Sequence, residues 1–114
     1  MVTVRRGDIV LCDLNPVIGT EQAGVRPALV LQTDRANVVS PHTIIAPFTT
    51  KIRRALLPSH VFVSAESGKL DRDSVLLCEQ IRVVDKRRII KIIGQLEHPH
   101  MAEVASALRA VLEL

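Results

Sequence analysis

The 114-residue chain carries 15 lysine and arginine residues against 12 aspartate and glutamate residues, for a formal net charge of +3. That length suits one hydrophobic core, so residues 1–114 are expected to form a single domain. The sequence has two phenylalanines and no tryptophan or tyrosine, which argues against nucleic-acid recognition by stacking bases on aromatic rings. The mild positive charge suits an acidic partner without requiring one.

The cysteines and the apolar runs bear on location and on metal binding. No run approaches the roughly 20 apolar residues that span a bilayer, and the first residues lack the apolar stretch of a signal peptide. Cys12 and Cys78 stand apart from one another and from any histidine at zinc-ligand spacing. We therefore predict a cytoplasmic protein with reduced cysteines, no membrane association and neither a metal nor another cofactor.

Apolar runs rich in β-branched residues predict strands. These runs cover residues 9–14, 28–31, 43–48, 61–63, 75–84 and 89–93. The segments between them contain turn formers, such as the run 34–37, and most are too short for crossover helices. The sheet is therefore expected to be largely antiparallel.

Near the end of the chain the spacing of the apolar residues changes from that of a strand to that of a helix. Met101, Val104, Leu108 and Leu112 recur on one face of a helix, and Pro99 suits its first turn. Strands followed by one long helix predict an α+β domain, a small and mostly antiparallel β-barrel of about five to seven strands. The C-terminal amphipathic helix is expected to pack across the sheet.

The polar segment 15–27, between the first two predicted strands, is long for a hairpin loop. Ordered long loops on a rigid sheet often carry binding groups. Arg26 stands directly before Pro27 and a buried run, so its guanidinium is expected to project from a strand end and could bond two phosphate oxygens at once. A structural ion pair, for example with Glu21, is the alternative.

A second candidate group ends the third predicted strand, where Thr49 and Thr50 precede Lys51. Threonine is common at strand ends, so this group indicates a functional site only if it lies beside Arg26. The basic residues of the segments 51–54 and 82–91 could line an RNA track or form a solvated face.

Polar residues in the run 75–84 and the histidines are weaker candidates. Glu79 and Gln80 are expected on opposite faces of that strand, where a buried polar side chain needs a partner. The four histidines lack metal-site spacing, and a structural role is expected for His60, which opens a strand.

Several motifs occur in a fixed order along nearly the whole chain. They are Arg6-Gly7-Asp8-Ile9-Val10, Gly19-Thr20-Glu21-Gln22-Ala23-Gly24-Val25-Arg26-Pro27, Pro47-Phe48-Thr49-Thr50 and Glu79-Gln80-Ile81-Arg82. Together they resemble the MazF/PemK-type toxins. The resemblance implies an SH3-like barrel with a C-terminal helix, a homodimer, and sequence-selective cleavage of single-stranded messenger RNA without metal. It also implies a MazE-like antitoxin that covers the RNA groove.

The same resemblance implies roles for individual residues. Arg26 and Thr49 match the catalytic pair, and Glu21 matches the loop glutamate. Cleavage would proceed by attack of the 2′-hydroxyl on the adjacent phosphorus, with Arg26 stabilising charge and Thr49 orienting the phosphate. Glu21 would orient Arg26 or accept the 2′ proton. The residues expected to contact RNA are Thr20, Gln22, Thr50, Lys51, Arg53, Arg54, Gln80 and Arg82.

Two other functions stay open at this point. A toxin of the same fold could poison DNA gyrase, as CcdB-like proteins do, although such a poison needs neither Arg26 nor Thr49. A plain nucleic-acid-binding barrel would bind RNA in a salt-dependent way without cutting it.

Overall fold

A computed structural model describes residues 3–52 and 56–114 of the chain. The described residues form seven strands, two short α-helices, two 3₁₀ helices and one long C-terminal helix. The strands are β1 (Asp8–Asp13), β2 (Val25–Val30), β3 (His42–Thr49), β4 (His60–Val63), β5 (Ser74–Leu77), β6 (Arg82–Asp85) and β7 (Ile89–Gln95). The helices are α1 (Asp34–Val39), α2 (Ala65–Gly68) and α3 (His98–Leu112), with 3₁₀ helices at Cys78–Gln80 and Lys86–Arg88.

All strand pairs are antiparallel. The order across the sheet is β4-β5-β3-β2-β1-β7, and β6 pairs with β3 beside β5. This confirms the predicted α+β class, the strand count and the antiparallel pairing. In the described part of the chain β4 and β7 do not pair with each other, so strand hydrogen bonds leave the sheet open between them.

The prediction of one strand over residues 75–84 is wrong. Leu76 of β5 pairs with Phe48, whereas Arg82 of β6 pairs with Ile45. The two β3 residues are three positions apart and their partners are six apart. A continuous antiparallel ladder cannot take up that difference, so the extra residues leave the sheet as the 3₁₀ helix Cys78–Gln80.

The sheet buries both of its faces. Side chains alternate along the strands, so Ile9 and Leu29 enter a core with α3, whereas Val10 and Val30 enter a second core on the other face. Helix α3 contributes the buried Val104 and Ala107 to the first core and carries a proline in its first turn. The predicted helix packed across the sheet is thereby confirmed. Among the described residues no helix is long and apolar enough to span a membrane.

The segment 34–37, predicted as a turn, begins helix α1, and a buried polar cluster ties this helix to the sheet. Asn37 Oδ1 accepts from Gln32 Nε2 at 3.0 Å and from Thr43 Oγ1 at 2.8 Å. Asn37 Nδ2 donates to the Gln32 carbonyl at 2.9 Å. Asparagine predicts a turn because its side chain often bonds nearby backbone groups. Here the bond from the Asn37 side chain to the Gln32 carbonyl anchors a helix instead.

Asn37→Ala should lower the free energy of unfolding by about 2 to 3 kcal/mol, because buried donors on Gln32 and Thr43 lose their shared acceptor. Urea denaturation monitored by circular dichroism measures this loss. Val38→Ala, at the neighbouring side chain that is 82% exposed, should change the value by less than about 0.5 kcal/mol. Equal losses in the two variants would contradict a structural role for the cluster.

Cys12 and Cys78 are free and buried, one in each core. Burial raises the pKa of Cys12 to about 11 and that of Cys78 to about 12. Thiols buried in apolar surroundings stay protonated and react slowly, so neither cysteine is equipped as a nucleophile.

Stability should fall in alkali. The contribution of the raised pKa values to stability is fully present below the unfolded thiol pKa of 9.0 and declines as the pH rises from that value to the folded values near 11 and 12, because only the unfolded thiols lose their protons in this range. The free energy of unfolding, measured in reductant from about pH 8 to about pH 10.5, should decline less steeply in the double variant Cys12→Ala/Cys78→Ala. Identical slopes would show that the thiols do not carry the effect.

Candidate active site

Arg26 lies on β2 opposite Cys12, where the polar loop rejoins the sheet. Its Nε donates to the Ala23 carbonyl at 2.8 Å, and its Nη1 donates to Gln22 Oε1 at 2.6 Å and to the Phe48 carbonyl at 3.2 Å. All three acceptors are neutral, so they fix the guanidinium without cancelling its charge. The two N–H groups of Nη2 bond nothing in the described chain, and they form the edge that an anion can take.

Thr49 ends β3, directly after the Phe48 carbonyl that Arg26 contacts. Its Oγ1 accepts the Lys51 amide at 3.2 Å, and the residue is 8% exposed. The hydroxyl proton remains available to a ligand. Arg26 and Thr49 line one cleft of about 350 Å³. The structure therefore brings together the cation and the hydroxyl that the two sequence motifs contribute.

Two further clefts extend this one into a groove: the first shares a residue with the Arg26 cleft, and the second shares residues with the first. The first, of about 390 Å³, shares Thr49 and contains Thr20, Gln22, Lys51 and Gln80. The second, of about 520 Å³, shares the loop residues and reaches Arg82. Thr50 lines the Arg26 cleft. Arg53 and Arg54, also predicted to contact RNA, lie outside the described residues.

Glu21 lies on the groove wall but does not contact Arg26. Its Oε1 accepts the Ile18 amide at 2.8 Å and so closes a turn within the loop. Residues 3–52 and 56–114 contain no ion pair between Glu21 and Arg26, which removes the structural ion pair considered from the sequence. The contact expected from Glu21 is made by Gln22 instead.

The sequence analysis assigned no functional role to three residues that share the cleft with Arg26. Asp71, Arg72 and Ser74 line it from the segment between α2 and β5. They approach Arg26 only because β5 pairs with the end of β3, a contact between distant parts of the chain. Arg72 thus adds a second cation close to Thr49. Over the described ranges, no group of three or more His, Cys, Asp or Glu side chains is arranged to hold a metal ion.

Residues 5–112 match the model of the PemK-like, MazF-like toxin family of type II toxin-antitoxin systems. The chain belongs to this family. It is 47% identical over 111 residues to endoribonuclease EndoA of Bacillus subtilis strain 168, covering 97% of this chain and 96% of that relative. These matches confirm the resemblance and give no support to the gyrase-poisoning alternative.

Solved structures agree with the family assignment. MazF from Deinococcus radiodurans (form I) is 28% identical over the full length of both chains, with a TM-score of 0.85. The MazE-MazF complex of the same organism (form II) matches at 28% identity and a TM-score of 0.78, covering 100% of this chain and 99% of that one. A mycobacterial endoribonuclease in complex with its cognate antitoxin shares the fold at 20% identity and a TM-score of 0.81, over 97% of this chain and 96% of that one.

In this MazF-like toxin, Glu79 and Gln80 do not lie on a strand as predicted. The 3₁₀ helix turns both side chains into the groove. Gln80 Oε1 accepts the Gln22 amide at 2.8 Å, and Glu79 Oε2 lies 2.9 Å from His60 Nε2. The sequence did not identify partners for these two side chains. In the structure Gln80 is bonded to the polar loop and Glu79 to His60, the first residue of β4.

Two arginines brace the base of the loop. Arg82 Nη1 donates to the Leu14 carbonyl at 3.1 Å, and Arg88 Nη1 donates to the carbonyls of Asp13 and Asn15. Arg82 therefore lines the groove and also holds the loop in place. The sequence indicated only a basic cluster here, because the bonded carbonyls lie more than 60 residues away along the chain.

The His60 ring is bonded at both nitrogens. Nδ1 accepts the Leu57 amide at 3.2 Å, so the neutral ring must carry its proton on Nε2, which faces Glu79. Long-range proton–nitrogen NMR at about pH 8 should therefore show the Nε2–H tautomer at His60. The exposed His42 should show a mixture of tautomers and serves as the internal control. A proton on Nδ1 of His60 would contradict the bond from Leu57.

Proposed function

We propose that this toxin is an endoribonuclease that cuts single-stranded messenger RNA without metal, by attack of a ribose 2′-hydroxyl on the adjacent phosphorus. One observation carries the proposal: an arginine held by three neutral acceptors presents a free N–H edge beside a threonine hydroxyl in an open groove. The 47% identity to a relative named endoribonuclease EndoA supports it.

Arg26 has the main electrostatic task. Negative charge grows on the phosphate oxygens as the 2′-oxygen attacks, and the free Nη2 edge can stabilise it with charge-assisted hydrogen bonds. The guanidinium does not move to do so, because its Nε and Nη1 are already bonded to the protein. We assign to the same edge the donation of a proton to the departing 5′-oxygen, after which the guanidinium regains a proton from solvent. The products are a 2′,3′-cyclic phosphate and a 5′-hydroxyl.

Thr49 and Glu21 complete the proposed chemistry. The Thr49 hydroxyl donates to the phosphate and keeps it in line with the attacking oxygen, while its Oγ1 stays anchored by the Lys51 amide. Glu21 is the proposed acceptor of the 2′ proton, through the carboxylate oxygen that does not bond Ile18. The orienting role passes from Glu21 to Gln22, which contacts the guanidinium.

The groove supplies the RNA track. We assign RNA contacts to polar and basic residues that line the groove, namely Thr20, Gln22, Thr50, Lys51, Arg72 and Arg82. We assign them also to Arg53 and Arg54, which lie outside the described residues. Gln80 lines the groove as well, but its side-chain amide is bonded to the loop. Cations along a groove attract the phosphate backbone irrespective of sequence, so base choice falls to the polar side chains and backbone groups of the loop. The scarcity of aromatic residues makes this polar readout more important than stacking.

We also propose that the toxin is a cytoplasmic homodimer and that a MazE-like antitoxin binds it. Toxin that is free of antitoxin would block translation and growth under stress. The MazE-MazF complex from Deinococcus radiodurans supports the antitoxin. Ile44 and Val83, paired across β3 and β6, are 37% and 58% exposed, and such apolar side chains suit a subunit interface. The free, buried cysteines suit a reducing compartment.

Purified protein should cut a long unstructured RNA in EDTA and leave 2′,3′-cyclic phosphate and 5′-hydroxyl ends. Arg26→Ala should lower the cleavage rate by about 10³-fold or more, because it removes the fixed cation, and Thr49→Ala by about 10²-fold. Both variants should keep the circular dichroism spectrum of the wild type and stay folded at the assay temperature. Sequencing of the new ends gives the recognition sequence in the same experiment.

Arg35→Ala is the matched control, since Arg35 is an exposed arginine on α1 and should leave cleavage unchanged. Intact RNA after incubation with folded wild-type protein would overturn the nuclease proposal, and inhibition of gyrase supercoiling would then be the next assay. Cleavage that EDTA abolishes would overturn the metal-independent mechanism.

A further inference from the structure

Gln80 lies on the 3₁₀ helix after β5 and does not touch Arg26, yet hydrogen bonds connect the two through the loop. We propose that Gln80 is a positioning residue for cleavage: it fixes the backbone at Gln22, whose side chain orients the Arg26 guanidinium. This inference rests on the proposed ribonuclease function and identifies what keeps its main charged group in place.

The first link joins the 3₁₀ helix to the loop. Gln80 Oε1 accepts the Gln22 amide at 2.8 Å, and Gln80 Nε2 donates to the Thr20 carbonyl at 3.4 Å. One side-chain amide thus bonds an N–H group and a carbonyl group two residues apart on the loop. These two bonds fix the position and the direction of the loop backbone. Open space lies beside the glycines on either side of this segment, because a Cβ built at Gly19 or Gly24 would meet no atom within 4 Å.

The second link joins the loop to the cation. Gln22 Oε1 accepts from Arg26 Nη1 at 2.6 Å, the shortest of the three bonds to the guanidinium. Ala23, the next loop residue, provides the acceptor for Nε. Two of the three acceptors therefore move with the loop segment that Gln80 holds, and only the Phe48 carbonyl belongs to the rigid sheet. A small displacement of this segment would turn the free Nη2 edge away from the phosphate.

Direct binding of an RNA base by Gln80 is the competing role. Its carbonyl oxygen already accepts one hydrogen bond and one of its two N–H groups already donates to the loop, so the intramolecular task takes half of its hydrogen-bonding capacity. The two roles predict different kinetics. Loss of positioning lowers the rate of the chemical step, whereas loss of a base contact weakens binding.

Two substitutions separate these roles. Gln80→Met keeps the length of the side chain and removes both hydrogen bonds, whereas Gln80→Glu keeps the acceptor for the Gln22 amide. The single-turnover rate at saturating RNA should fall about 10- to 100-fold in Gln80→Met and stay within about threefold of wild type in Gln80→Glu. Affinity for RNA with a 2′-O-methyl group at the cleavage site should change less than about threefold in Gln80→Met and weaken in Gln80→Glu, which adds negative charge.

A double variant tests whether Gln80 acts through Gln22. Gln22→Met/Gln80→Met should cut no more slowly than the slower single variant, because both changes break the same chain of bonds. If the rate reductions of the two single variants multiplied in the double variant, Gln80 would not act through Gln22. Gln95→Met, the same substitution at an exposed glutamine of β7, is the control and should cut at the wild-type rate. Wild-type rates in Gln80→Met, or an unchanged rate with weakened binding, would overturn the positioning role.

A readout without RNA separates this inference from the proposed function. The Arg26 Nε–H, bonded to the Ala23 carbonyl, should give a slowly exchanging NMR signal in the wild type and a faster-exchanging one in Gln80→Met. If wild-type protein does not cut RNA, the proposed function fails, and this signal alone decides whether Gln80 holds Arg26. An unchanged signal in Gln80→Met would contradict the inference whatever the nuclease assay shows.

Discussion

The Arg26 guanidinium is bonded on two of its edges and has no counter-ion among the residues that the structure describes, and the rest of the site is built around this arrangement. A half-buried cation loses hydration, and a nearby carboxylate would be the ordinary way to restore the lost free energy. Here two carbonyls and a side-chain amide restore part of it through hydrogen bonds. An anion that enters the cleft supplies the rest of the electrostatic stabilisation of the guanidinium, so the cleft favours a phosphate over a neutral ligand.

This arrangement requires a long loop that does not move. The loop begins after β1 and returns in β2, and its ends are fixed by the pairing of Asp13 with Val25. Arg82 and Arg88 bond carbonyls at its base, and Gln80 bonds its far side. These bonds come from β6 and from the two 3₁₀ helices. A cation held in place before the substrate arrives needs no reorganisation during the reaction.

The sequence predicts local features well and long-range ones poorly. Apolar periodicity located the strands and helix α3, because burial of one face requires a repeat of two or of 3.6 residues. It could not show the break at Cys78–Gln80, because the apolar run is continuous there and only the pairing of both neighbouring strands with β3 reveals it. The pairing of Arg26 with Thr49 was implied by the resemblance to the toxin family, whereas the strand-end patterns taken singly gave only two separate candidates. The contacts of Gln22 with Gln80 and of Arg82 with Leu14 span 58 and 68 residues, and nothing in the local sequence encodes such pairs.

A structure of the protein bound to RNA that carries a 2′-O-methyl group at the cleavage site would test the central claim most directly. The account predicts that oxygens of the scissile phosphate lie about 2.7 to 3.1 Å from Arg26 Nη2 and from Thr49 Oγ1. It also predicts that the guanidinium keeps its bonds to Gln22, Ala23 and Phe48. A phosphate bound elsewhere in the groove, or an Arg26 side chain that leaves these acceptors to pair with Glu21, would contradict it.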